Sequence, residues 1–356
     1  MQVFAELLPR LGCANIAITG SVNTLNSSDI KCDKNKVLVG GQVFLVPDVE
    51  FQPDSISGLS VSKEGTIFRV KLKQNEKLPS LISGNSFNYG GRLKFAPPEI
   101  VPEETYVFIC QCGAELGKLT PGRVLPLPSG SWQADSLDWY CCVNKLKQAP
   151  ILKPRTSDFL YNSYCFAVDI VNIAKNTVSI DLVNKEVENN DTVPTSVVSC
   201  KKCDSEVGSL SRETLYIWCH SVLLRCGDIV HNSNEDVKTA EDCFKMIINS
   251  FVIESISSMP KVMLRNRKGK SVVLWVIDKD LTVVKSDDQK GGFKESVMKI
   301  LHKEGNNVPE KSMELVELSN DLFDTGIKLM EKSTENFPES FQVANEYKVS
   351  YLLRLK

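Results

Sequence analysis

The chain has 356 residues, with 42 Lys and Arg against 44 Asp and Glu for a net charge of −2, and 42% of its residues are hydrophobic. That balance excludes a disordered or fibrous chain, and the lack of a basic excess argues against direct binding of nucleic acid. The longest apolar runs, 43–47 and 272–277, fall far short of the ~20 residues that span a bilayer.

The first residues carry Glu6 between Met1 and the breakers Pro9 and Gly12, without the basic and apolar regions of a signal peptide. The expectation is a cytoplasmic and nuclear protein with no membrane partner. In those compartments its 12 cysteines stay reduced, so paired cysteines point to metal rather than to disulfides.

In chain order, 36–46 and 65–73 are rich in β-branched residues and bounded by turn residues, which predicts strands. Pro97, Pro98 and Pro102 interrupt both helix and ladder and mark a boundary. Further strands are predicted at 105–110, 166–173 and 177–183. Thr239 and Asp242 resemble a capping box, after which Ala240, Phe244, Ile247, Ile248, Phe251 and Ile256 share one helical stripe. Residues 262–264 and 271–278 predict a hairpin whose basic turn, 265–270, is solvated. Residues 293–302 and 312–332 are read as helices, and 341–355 as one or two closing strands. The fold class expected is therefore α+β: a β-rich N-terminal domain at 1–100, a zinc-knuckle middle at 101–232 and an α+β C-terminal region at 233–356.

The chain repeats itself once. Cys112-Gly-Ala-Glu-Leu-Gly117 and Cys203-Asp-Ser-Glu-Val-Gly208 share one pattern, and each follows a further cysteine, Cys110 or Cys200. Each half is predicted to be a strand, a cysteine pair, a tight turn and a returning strand, the form of a zinc knuckle. Four thiolates suit a tetrahedral Zn²⁺, making Cys110, Cys112, Cys200 and Cys203 the candidate metal ligands of a closed structural site. Binding by the second pair alone, or plain buried thiols, are the other readings.

Between the pairs lie Leu125-Pro126-Leu127-Pro128, then Trp132, Trp139, Cys141 and Cys142. Pro126 and Pro128 fix an extended backbone that costs little entropy to dock on a partner, with the tryptophans as anchors. The competing reading is an edge strand with both Trp filling a seam. Phe244, Ile247, Ile248 and Phe251 form either core or a docking face. If they pack inward, a partner must read Lys245, Asn249 and Glu254. His220, His231 and His302 are too scattered to form a catalytic site. Cys219 adjoins His220, but neighbours on a strand point to opposite faces.

These blocks resemble the HECT-like ubiquitin-conjugating-enzyme-binding family. The likeness runs through Cys110 and Cys112, the 123–129 block, Trp132, Trp139 and the Cys141-Cys142 pair, then Cys200-Lys-Lys-Cys203, the helix at 242–258, Val272-Val-Leu-Trp275 and Ser340-Phe-Gln-Val343. The resemblance implies binding of a ubiquitin-conjugating enzyme at 237–258 and ubiquitin transfer to the chain itself or to cyclin-type substrates. It also implies a second role: binding the metallo-β-lactamase endonuclease of mRNA 3′-end cleavage through the Pro-rich segment, with Cys142 facing its metals. A HECT-type ligase carries ubiquitin on a C-terminal cysteine, yet the last cysteine here is Cys243 and Met313 stands where a relative would present the nucleophile. A thioether forms no thioester, so the catalytic residue is left unassigned.

Overall fold

The computed structural model describes residues 2–8, 11–19, 29–46, 49–61, 65–73, 100–127, 152–182, 195–232, 237–254, 260–287, 293–305, 313–335, 337 and 339–354. Strands dominate them. The longest helices are α1, Ala240–Glu254, and α2, Asn320–Lys332, and a single turn follows at Glu339–Gln342. The expected α+β class is therefore corrected to a strand-rich fold of several sheets, and the C-terminal region is not a mainly helical one.

Two segments account for the difference. Residues 293–302, read as helix, form the strand Phe293–Glu304, which pairs antiparallel with Ser271–Asp287 on one side and Tyr347–Leu353 on the other. Val297 and Leu301 enter one apolar cluster, and Met298 and Ile300 enter another on the opposite face. A strand buried on both faces loses its alternation, and its apolar residues then mimic helical spacing. Residues 312–332 divide into the strand Glu314–Leu318 and α2, separated by the N-cap Ser319, whose hydroxyl accepts from the Leu322 amide at 3.1 Å.

Sheet one has ten strands. Its path runs Val343–Ala344, Tyr347–Leu353, Phe293–Glu304, Ser271–Asp287, Gln2–Leu8, Cys13–Thr19, Gly65–Lys71 and Ser57–Val61. Ser271–Asp287 joins the ends of the chain: register shifts between Val276 and Leu281 divide it, one half pairing with Lys261–Asn266 and the other with Gln2–Leu8. Lys261–Asn266 also takes Glu314–Leu318 as a parallel neighbour.

Sheet two contains, in spatial order, Arg123–Pro126, Asp158–Tyr161, Cys165–Asp169, Thr214–Trp218, Glu206–Ser211, Thr195–Cys200 and Val178–Leu182. Sheet three orders Ile229–Asn232, Val222–Cys226, Tyr106–Cys110 and Glu115–Leu119, and a small fourth sheet is the meander Ile30–Asp33, Lys36–Val39 and Gln42–Leu45. One continuous core links sheets two and three with both long helices and the 261–276 hairpin. The helices cross where the Phe244 ring lies against Gly326; a Cβ on Gly326 would sit 2.1 Å from that ring. No helix among the described residues is long and apolar enough to cross a membrane.

Candidate metal centre

The two repeat halves become two hairpins of the same build. In the first, Tyr106–Cys110 returns as Glu115–Leu119; in the second, Thr195–Cys200 returns as Glu206–Ser211. Each turn closes on the first cysteine: the Cys110 amide donates to the Ala114 carbonyl at 2.8 Å and the Cys200 amide to the Ser205 carbonyl at 2.9 Å. Each turn also needs one left-handed residue, Gly113 at φ +81° and Asp204 at φ +61°. Glycine and Asp are the residue types that meet this demand cheaply.

The likeness extends into the returning strands. Phe108 pairs with Gly117 while Ile109 skips to Glu115, and Val198 pairs with Gly208 while Ser199 skips to Glu206. Leu116 and Val207 are therefore the extra residues of two matching bulges, and both are buried. Each bulge is followed by the repeat glycine. A Cβ on Gly117 would lie 2.2 Å from the Asn172 carbonyl oxygen and one on Gly208 2.1 Å from that of Tyr216, so backbone crosses where a side chain would stand.

The turns bring the four cysteines together. Their sulfurs all lie within 4.8 Å of one another, with Cys110 Sγ 3.6 Å from Cys203 Sγ and Cys112 Sγ 3.8 Å from Cys200 Sγ. A disulfide needs about 2.05 Å, so these are free thiols. Four sulfurs at the ~2.3 Å of a zinc–thiolate bond, placed at tetrahedral corners, stand ~3.8 Å apart. The cluster fits Zn²⁺ as all four ligands, despite the shorter gap of the first pair, because each pairing joins the inner cysteine of one turn to the outer cysteine of the other.

Cys110 and Cys200 are buried, Cys112 is half-buried and Cys203 is exposed. Burial pushes the Cys110 thiol up, whereas the hydroxyl and amide of Ser205 bring Cys203 down to about 6. Two neighbouring thiols thus favour opposite charge states, and a bound cation would compensate the inner one. With four protein ligands the site has no open position for a substrate.

Sequence reasoning missed what anchors the hairpins. The repeat glutamates each meet an arginine: Glu115 binds Arg225, and Glu206 lies 3.8 Å from Arg267. Glu206 also accepts from the Asn320 amide at 3.0 Å and its side-chain amide at 2.6 Å, at the start of α2. Arg267 belongs to the basic turn expected to be solvated, yet its side chain is only 6% exposed and reaches the Gly208 carbonyl. The shared Glu at one position of both repeats was the available signal.

Of the expected docking residues, Arg123–Pro126 is an edge strand in parallel pairing with Asp158–Tyr161; Leu125 and Pro126 are exposed and Leu127 is half-buried. Pro128, Trp132, Trp139, Cys141 and Cys142 lie outside the described residues. The Thr239–Asp242 capping box forms, with the Asp242 amide donating to the Thr239 hydroxyl at 3.1 Å. Phe244, Ile247 and Ile248 are buried in the main core and Phe251 packs against it, so α1 fills its stripe from within the chain. Asn249 is buried too, and Lys245 is half-buried.

Cys219 and His220 share a short 3-10 turn, not a strand; burial holds His220 down at about 4. Burial raises the Cys165 and Cys243 thiols well above the usual range. Cys226 donates to Glu104 at 3.1 Å, and that hydrogen bond raises it as well. Met313 is half-buried at the start of Glu314–Leu318.

Among solved structures, none matches this chain. The chain is similar to proteins named as E3 ubiquitin-protein ligases, at 27% identity in both Mus musculus and Rattus norvegicus. Each alignment covers 80% of this chain, with 72% of the mouse protein and 71% of the rat protein. The family described as HECT-like ubiquitin-conjugating enzyme (E2)-binding matches residues 6–349, so this chain belongs to the HECT-like E2-binding family.

Proposed function

We propose that the protein binds a ubiquitin-conjugating enzyme and promotes transfer of ubiquitin to itself or to cyclin-type substrates, acting as an adaptor without a thioester of its own. The observation that carries this reading is the E2-binding family match across residues 6–349. The adaptor form is supported by the thiols. Outside the four-cysteine cluster, the described cysteines are buried or, in Cys226, held by a carboxylate, and Met313 offers no nucleophile. The cluster serves as a Zn²⁺ staple that holds the two hairpins in register, and the exposed edge at Leu125 and Pro126 is offered as a docking residue pair.

The test is a non-reducing gel of the full chain with ubiquitin, activating enzyme and a panel of conjugating enzymes, with and without thiol. Ubiquitin conjugates that depend on this chain, with no thiol-sensitive adduct on it, are expected. A thiol-sensitive adduct would overturn the adaptor form, and failure to engage any conjugating enzyme would overturn the reading as a whole.

A further inference from the structure

Among the described residues the main path of sheet one ends in Ser57–Val61 and Val343–Ala344, and a side branch ends in Glu314–Leu318. Ser57 and Gly58 from one edge and Val343 and Ala344 from the other line a single cavity of about 440 Å³. Phe341, just before Val343, packs on Phe4 of the mid-path strand Gln2–Leu8 with ring centroids 6.2 Å apart, so the C-terminal segment lies over this face of the sheet and bounds the cavity from that side. Its volume falls within the ~300–1,000 Å³ of small-molecule sites.

The wall is mixed in an ordered way. Ile67, Ile277, Leu301, Phe341 and Val349 supply apolar surface. Across them runs a polar row fixed by strand register, since Asn15 stands opposite both Glu6 and Arg69. Glu6 is 1% exposed, and its carboxylate takes the Lys299 ammonium at 2.5 Å, the Asn15 amide at 2.9 Å and the Tyr351 hydroxyl. Asn15 in turn accepts from Arg69 Nε at 2.9 Å. The Glu6 charge is thus met by Lys299, while Arg69 has no carboxylate partner among the described residues. Glu6, Arg69 and Lys299 are the charged residues of the lining, leaving one net positive charge beside an apolar wall.

We infer that this cavity binds a free amphipathic monocarboxylate of the medium-chain fatty-acid type, its head on the Arg69 fork and its chain along Ile67, Ile277, Leu301 and Phe341. A guanidinium fork pairs with a carboxylate through two parallel hydrogen bonds, and Asn15 holds the third nitrogen so that the fork is presented in one orientation. The site is remote in sequence from the four cysteines and does not rest on the ligase reading.

Calorimetric titration of the full-length protein with sodium octanoate and with octan-1-ol tests it. Octanoate binding one to one, at least about tenfold tighter than octanol, is expected, a difference worth ~1.4 kcal/mol. Arg69→Gln abolishes that preference so that acid and alcohol bind alike. Ala344→Trp, which fills the cavity from its edge, abolishes both while circular dichroism stays that of the wild type. Absence of saturable octanoate binding to the wild-type chain overturns the inference, as does an acid preference that survives in Arg69→Gln.

Discussion

In the first cysteine hairpin the repeat glutamate, Glu115, meets Arg225 at the surface, where the two side chains are 59% and 36% exposed. In the second, Glu206 faces an arginine whose side chain is 6% exposed and also holds the first residue of α2. The hairpins share a turn, a bulge and a glycine, so the repeat encodes the geometry that brings the four thiols together. What differs is the surrounding structure: one half is held at its rim, and the other is tied to the C-terminal part of the fold.

The largest effects should respect the likeness. Cys110→Ser and Cys200→Ser each remove a buried ligand from one hairpin, and each should cost several kcal/mol together with the metal, because site assembly is linked to folding. Cys112→Ser and Cys203→Ser, at the outer side, should cost less. Metal content by atomic absorption and thermal unfolding check the order. Unchanged stability and metal content in Cys200→Ser would remove the structural zinc.

Next come the glycines. Gly117→Ala and Gly208→Ala drive a methyl to about the same distance from crossing backbone, and backbone yields less readily than a side chain. Each is expected to destabilise by ~2 kcal/mol or more, similarly in the two halves, as measured by denaturant midpoint at constant slope. A tolerated substitution in one half alone would mean that the bulges are not equivalent.

The glutamates should then separate the halves. Glu206→Gln removes the stronger of the two anions that act on the buried Arg267, leaving Glu317 as the other, and weakens the acceptor at the α2 N-terminus; a loss of ~2 kcal/mol is expected. Glu115→Gln breaks a surface pair, where ~0.2–1 kcal/mol is the usual range. A double-mutant cycle with Arg267→Met isolates the pair from the helix contact. Equal losses would show that the second half is no more deeply tied than the first.

How much of this was legible follows from the range of the interactions concerned. Cysteine spacing and the Thr239–Asp242 cap are local, and both were readable before any fold was known. The strand Phe293–Glu304 was not, because burial on both faces is a property of its neighbours, and its Val297, Ile300 and Leu301 fall at helical spacing. Arg267 reads as solvent-facing from its basic turn, since nothing within 50 residues announces Glu206, 61 positions earlier in the chain. The α1 stripe reads as apolar from its spacing, but whether it meets a partner or Gly326 is decided by α2.

At neutral pH the smallest expected effect concerns the residue between the halves. The His220 carbonyl accepts the Gln111 side-chain amide from the first hairpin at 3.2 Å, while Asp321, on the helix that Glu206 anchors, is the charge that bears on its ring. Burial lowers the imidazole from 6.5 to about 4, with Asp321 opposing that shift. Between those two values the unfolded chain binds a proton that the folded one refuses. Stability from this residue is therefore complete above pH ~6.5 and is lost as pH falls toward ~4, with a slope of up to about one proton. His220→Gln should flatten the wild-type pH dependence by that amount in zinc-saturated protein, measured by chemical denaturation at each pH. Asp321→Asn should extend it to lower pH, because it removes an attraction that favours the charged ring. Should His220→Gln change stability equally at all pH values, the residue contributes packing alone, and the link between the hairpins runs through its backbone carbonyl.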